Sequence, residues 1–192
     1  MPGRGNKVKT IITETNVYKF GELSDKAKQA ALKKLYDINV NCDWWDCTYD
    51  DATTIGMEIT SFDLDRRSYC EANIYDAQRT AELIIENHGD VCDTYKLAKS
   101  FLEEISPIQA KYDKCYDLCD KWGDNQHTYN IYGLKNDLVY AIDDLETEFK
   151  RDLCEEYRIM LQHEYEYMTS EKAIIESIEA NEFDFTEDGT LF

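Results

Sequence analysis

Apolar residues recur at spacings of three and four through most of this chain and alternate in only one stretch. That pattern predicts an α+β fold, mostly helical, with about six to seven helices and a small antiparallel sheet. Ser24 is a natural N-cap for a helix carrying Ala27, Ala31, Leu35 and Ile38, expected to run to Asn39. A second helix is expected from about Asp43, with Trp44, Thr48, Ala52 and Ile55 on one side and Gly56 as its C′ residue. The period then changes. Met57, Ile59, Phe62 and Leu64, followed by Tyr69, Ala72 and Ile74, read as two strands joined around Asp65–Ser68.

From Asp76 onward the helical period returns. Ala77, Ala81, Ile84 and His88 form a stripe that stops at Gly89. Val91, Tyr95, Ala98, Leu102 and Ile105 form the next, and Ile108, Tyr112, Cys115, Cys119 and Trp122 continue it beyond Ser106-Pro107. The proline predicts either two helices meeting at an angle or one kinked helix. Residues 123–132 are polar and expected to be loop. A long helix is expected from about Leu134 to Met168, its apolar face formed by Leu134, Leu138, Ile142, Leu145, Phe149, Leu153, Tyr157 and Met160. Thr169-Ser170 caps a last helix ending near Asn181, and Phe183–Thr186 alternates like a strand before the Asp188-Gly189 turn. The small sheet draws on the middle of the chain and on its two ends, where Val8, Ile11, Ile12 and Val17–Phe20 are the N-terminal candidates.

A chain of 192 residues with 43% hydrophobic residues fits one domain, with lobes at 1–89 (α+β) and 90–192 (helical) and a flexible basic arm at 1–10. Seven cysteines without a signal peptide point to reduced thiols in the cytoplasm, and no stretch is long and apolar enough for a membrane span.

Charge changes the picture most. Forty acidic side chains against twenty-one basic ones give a formal charge of −19. The first forty residues hold eight Lys/Arg and four Asp/Glu, whereas residues 136–192 hold four against seventeen. Such a body repels nucleic acid and attracts a cationic surface. On the long helix Asp137, Asp144, Glu148 and Glu155 fall within about 20° of one line, opposite the apolar stripe and about 6 to 10 Å apart. The alternative is a solvated face kept acidic for solubility. Trp44 and Trp45 form the other candidate patch. Adjacent residues on a helix cannot share one face, so one of them is expected at an edge, as an apolar anchor for a partner or a homodimer seam.

Catalytic and metal motifs fail on inspection. His163-Glu164 starts a zinc-protease helix motif, but Tyr167 stands where the second histidine belongs. Cys115 and Cys119 have no second ligand pair, Cys42 and Cys47 are no better placed, and all read as buried thiols. His88 reads as a helix C-terminal residue favoured by the dipole, and His127 has no nucleophile beside it. The expectation is therefore no catalytic residue, no metal site and no cofactor.

Tyr18–Lys28, Asp43–Asp46 with Asp50–Ala52, Ile55–Arg66, Thr169–Glu176 and Ala180–Glu182 together resemble a family of small proteins encoded by bacteriophages and related mobile elements of gut bacteria. The resemblance covers nearly the whole chain and brings no catalytic residues with it. It implies a phage-type origin and an inhibitor of host defence, of the anti-CRISPR or antirestriction kind. The expected function is thus non-enzymatic: Asp137, Asp144, Glu148, Glu155, Trp44 and Trp45 would engage a cationic protein surface, such as a CRISPR effector nuclease, in the host cytoplasm. Two other readings stand beside it. One is a homodimeric phage accessory or structural protein whose acidity serves solubility. The other is direct nucleic-acid binding within residues 4–34, through Arg4, Lys7, Lys9, Lys26, Lys28, Lys33 and Lys34.

Overall fold

A computed structural model describes residues 14–122 and 129–192. It has six α-helices and two separate two-stranded antiparallel sheets, consistent with the mostly helical α+β expectation. The expected basic arm, the strand candidates Val8, Ile11 and Ile12, and His127 lie outside the described residues.

The chain forms two compact units. One takes the described residues up to Cys42 together with Glu166–Phe192; the other spans Asp43–Tyr165. Each has its own apolar core. The lobes expected from the sequence, meeting at 89–90, differ from this division: that junction lies inside the second unit, where the helices on either side of it pack together.

In the first unit, β1 (Tyr18–Lys19) pairs with β4 (Asp184–Phe185), Tyr18 opposite Phe185. A 3₁₀ turn at Phe20–Glu22 follows β1. Helix α1 (Asp25–Lys34) and helix α6 (Glu171–Ala180) begin as the sequence predicts, at Ser24 and Ser170, whose hydroxyls accept from the amides of Ala27 and Ala173, each at 3.3 Å. Helix α1 stops five residues before the expected Asn39, because residues 35–40 close into tighter turns such as Ile38 N to Leu35 O. The core is Phe20, Leu23, Ala27, Ala31, Leu32, Ile174, Ile178 and Phe185, with Phe20 edge-on to Phe185 at 6.1 Å. The turn at Asp188-Gly189 is held by Asp188, whose carboxyl takes hydrogen bonds from the hydroxyls of Thr186 and Thr190 and from the Thr190 amide. These pull its pKa down to about 2.

In the second unit, α2 (Asp46–Thr54) leads through Gly56, at φ +75°, into the hairpin β2 (Met57–Asp63) and β3 (Tyr69–Ile74). The imperfect alternation of β2 has a cause: the register shifts between Ile59 and Ser61, and the Thr60 hydroxyl donates to the Glu71 carbonyl at 3.1 Å. Helix α3 (Ala77–Asn87) is capped by Asp76, which accepts from the Arg79 amide at 2.9 Å. Helix α4 (Asp93–Trp122) runs through Pro107 as one helix. A proline cannot donate to the carbonyl four residues back, and the Ser106 hydroxyl turns to the Leu102 carbonyl beside that gap.

Helix α5 (Tyr129–Met168) begins earlier than expected, so residues 129–132 are helix rather than loop. Helices α4 and α5 pair antiparallel: Phe101 stacks on Phe149 at 4.4 Å, and further along the Lys135 ammonium lies over the Tyr112 and Tyr116 rings at 5.7 and 4.7 Å. The buried face of α5 is Phe149, Leu153, Tyr157 and Leu161. The expected stripe ended at Met160, which is 38% exposed; the i+4 step from Tyr157 to Leu161 carries the face on instead. Leu134, also assigned to the stripe, is 52% exposed.

All seven cysteines are free. Cys115 and Cys119 are buried as read from the sequence, but Cys42 and Cys47 are exposed. Helix α2 turns Thr48 and Ala52 inward, which leaves Cys47 about 100° away, on the outside. Burial pushes the Cys70 thiol up to about 12, with Cys154 and Glu71 adding to the shift. Burial raises Cys154 too, against the opposing pull of the Ala72 backbone. A thiol reagent added to native protein should therefore modify Cys42, Cys47 and Cys92 rapidly, the half-buried Cys154 more slowly, and Cys70, Cys115 and Cys119 only on unfolding. Mass mapping of the labelled sites checks this, and prompt labelling of Cys70 would contradict its burial.

Candidate functional site

The acidic line sits where the helical rotation places it. Asp137, Asp144, Glu148 and Glu155 are all exposed on α5, opposite the buried Phe149 and Leu153. From Asp137 to Glu155 the line covers about 27 Å of helix. Its charge is uneven. Glu148 is paired to Arg151 at 3.2 Å, and Arg151 also reaches Asp152 at 2.8 Å. Glu155 receives two bonds from Arg158, both 2.8 Å, which hold its carboxyl below the usual carboxylate range. Arg158 lies about 60° around the helix and was missed as a cation near the line, because a long side chain reaches back one turn. Among the described residues no ion pair is formed by Asp137 or Asp144. Among the described residues, the half of the line nearer the start of α5 thus has no cation paired to it.

The tryptophan pair behaves differently from its expectation. Neither ring is on a helix: α2 starts at Asp46 with Trp45 as its N-cap residue, so the rule separating neighbours on a helix does not apply. Both are half-buried, in a cluster where Trp44 and Trp45 meet edge-on at 5.6 Å and both lie edge-on to Phe62, at 5.8 and 5.5 Å. Tyr165 packs on Trp44 at 5.7 Å and Tyr49 on Phe62 at 6.3 Å. Such a cluster cements α2, β2 and α5 within the second unit. Trp44 and Trp45 serve that packing, which leaves only their outer edges for a partner.

The basic candidates split. Arg4, Lys7 and Lys9 lie outside the described residues. Lys26, Lys28, Lys33 and Lys34 are on α1, where the Lys34 ammonium donates to the Thr190 hydroxyl at 2.6 Å.

One polar arrangement has no counterpart in the sequence reading. His88 is the C-cap residue of α3, as its place at the end of a stripe implied. Its Nδ1 lies 2.8 Å from Thr94 Oγ1, and its Nε2 faces Asp51 Oδ1 at 3.6 Å. Asp51 Oδ2 accepts from the Tyr157 hydroxyl at 2.7 Å. Burial, then Asp51, holds the phenol well above its usual value. Thr94 is 5% exposed, and its hydroxyl orients the imidazole. Asp51, His88, Thr94 and Tyr157 belong to four different parts of the chain, and no spacing rule links them.

Among the described residues no three His, Cys, Asp or Glu side chains are grouped to hold a metal ion, and no helix is long and apolar enough to cross a membrane. No family model, curated protein or solved structure matches the chain.

Proposed function

We propose that this protein is a non-enzymatic binding protein that occupies a cationic, nucleic-acid-handling surface of a host defence machine. Its concrete form is an inhibitor of a CRISPR effector nuclease, acting in the host cytoplasm as an acidic nucleic-acid mimic. The observation that supports this reading most is the exposed carboxylate line on α5, with Asp137 and Asp144 forming no ion pair among the described residues. A surface built to bind phosphates is cationic, and exposed carboxylates spaced along a rigid helix match it electrostatically. The phage-type resemblance supplies the kind of machine. A nanomolar complex needs about −12 kcal/mol, and exposed pairs contribute about 0.2–1 kcal/mol each. The line therefore steers and orients, with apolar contact adding the rest.

Replacing Asp137, Asp144, Glu148 and Glu155 by lysine should weaken binding to the nuclease by about 2–4 kcal/mol, roughly 30- to 1,000-fold. Affinity of the native protein should fall steeply with salt. Biolayer interferometry at two salt concentrations, with circular dichroism to confirm folding, measures both. Equal affinity of the variant, or salt-insensitive binding, would sink the mimic.

One observation favours a second reading. Tyr116, Leu118, Leu134, Val139 and Tyr140 are exposed on the paired helices α4 and α5, and apolar groups of this kind suit a homodimeric accessory protein. Light scattering that gives a dimer mass, together with no inhibition of the nuclease, would favour it.

A further inference from the structure

The residues around His88 line a cleft within the second unit, a cavity of about 510 Å³. Asp51 comes from α2, His88 from the end of α3, Asp93 from the start of α4, and Glu156 and His163 from α5; Ile159 and Met160 add an apolar wall. Three carboxylates face this space, and among the described residues no Lys or Arg lines it. Asp93 is already served by the Lys96 ammonium at 2.8 Å and by the start of α4. Among the described residues neither Asp51 nor Glu156 is paired to a Lys or Arg within ion-pair distance, although Asp51 accepts from Tyr157 and Lys96 acts on Glu156 from farther off. Burial, then Asp93, Glu155 and Asp152, raise the Glu156 carboxyl above its usual range, which marks a site where a cation would be welcome.

The second observation is independent of the acidic groups. The His88 side chain is nine-tenths buried, and its Nε2 makes no hydrogen bond. Whichever way the proton lies in the His88–Thr94 bond, Nε2 is left short. As an acceptor it faces another acceptor; as a donor it is too far from Asp51 Oδ1 at 3.6 Å. A buried unsatisfied nitrogen is costly, and a ligand with directed N–H groups would relieve it. Nε2 is itself buried, and Asp51 is 39% exposed at its side chain, so a ligand reaches Nε2 only if this carboxylate moves.

We propose that this cleft binds a guanidinium group, its planar pair of donors bridging Asp51 Oδ1 and His88 Nε2, its charge met by Glu156, and its methylene stem lying on Ile159 and Met160. A guanidinium suits two acceptors set side by side better than a point-like ammonium does. An anion is disfavoured by the carboxylates, and the donor set does not gather three metal ligands. The group has two sources: a free guanidino compound, or an arginine side chain of a partner protein. Glu155 of the acidic line acts on Glu156, so the separating variant is charge reversal at Asp137 and Asp144 alone, about 18 Å or more along α5 from Glu156; with it the two readings fail independently.

The test is a titration of the full chain, followed through the imidazole nitrogens of His88 and His163 by long-range ¹H–¹⁵N spectra. Agmatine, a capped Gly-Arg-Gly tripeptide and tetramethylammonium are the probes. Agmatine and the tripeptide should give saturable shifts at His88, and tetramethylammonium, singly charged like the capped tripeptide but without N–H groups, should not. Asp51→Asn and Glu156→Gln should each weaken agmatine at least tenfold; Glu156→Gln removes a charge that its like-charged neighbours oppose, so the fold is retained. Tighter binding of the tripeptide supports a protein side chain as the source, and tighter agmatine a free compound. The proposal is overturned if neither guanidinium saturates, if tetramethylammonium shifts His88 equally, or if folded Glu156→Gln binds agmatine as well as the native chain.

Discussion

Phe149→Ala should destabilise the second unit by about 3–5 kcal/mol, the range for truncating a buried aromatic side chain. Phe149 is 2% exposed and stacks on Phe101 with an interplanar angle of 16°. Removing it loses the transfer free energy of the ring and leaves a cavity between two long helices. Those helices cannot close the gap freely, because Leu153, Tyr157 and Leu161 fix the depth of α5 in the core. Met160→Ala offers the internal comparison. The sequence pattern places both residues on one stripe, yet Met160 is 38% exposed and its truncation should cost about 1 kcal/mol or less. Urea unfolding of the two variants decides the matter: similar losses would mean that α5 is rotated relative to the core described above.

Gly189→Ala should be the most damaging single methyl group added to the first unit. Gly189 sits at φ +80°, a conformation that costs an alanine about 1–3 kcal/mol by itself. The added Cβ would also lie 3.0 Å from the Ala27 carbonyl carbon and within the contact radius of its oxygen. That carbonyl belongs to a helix backbone and cannot rotate aside. Ala27 and Ala31, 4% and 0% exposed, hold α1 against the core, so the turn must move instead. Its movement would disturb the β1–β4 pairing around Phe185, and a total loss above about 3 kcal/mol is expected. Thermal unfolding followed by amide exchange at Tyr18 and Phe185 reads it. A variant with native protection there would refute the close approach.

These two cases show where sequence patterns carry information and where they stop. Caps were legible at Ser24 and at Thr169-Ser170 because a short polar side chain before an apolar period has one local use. Gly56 was legible for a similar reason. The acidic line was legible because helical rotation alone fixes which side chains share a face. The division into units was not: it depends on Phe185 packing with Phe20 across most of the chain, and no periodicity reports that. Ring contacts of Trp44 and Trp45 were equally hidden, since they follow from a helix starting three residues later than the pattern implied. The gap between His88 and Asp51 was invisible because it is a relation between elements rather than a property of any of them.

The split make-up of the first unit has a consequence for synthesis. Tyr18 emerges from the ribosome 167 residues ahead of its strand partner Phe185. At about 5–20 residues per second, some ten to thirty seconds separate the two. Throughout that interval Phe20, Leu23 and Leu32 have no Phe185, Ile174 or Ile178 to close over them, while the second unit can be completed in order. The newborn chain therefore carries an unfinished apolar surface on α1 until helix α6 has been made.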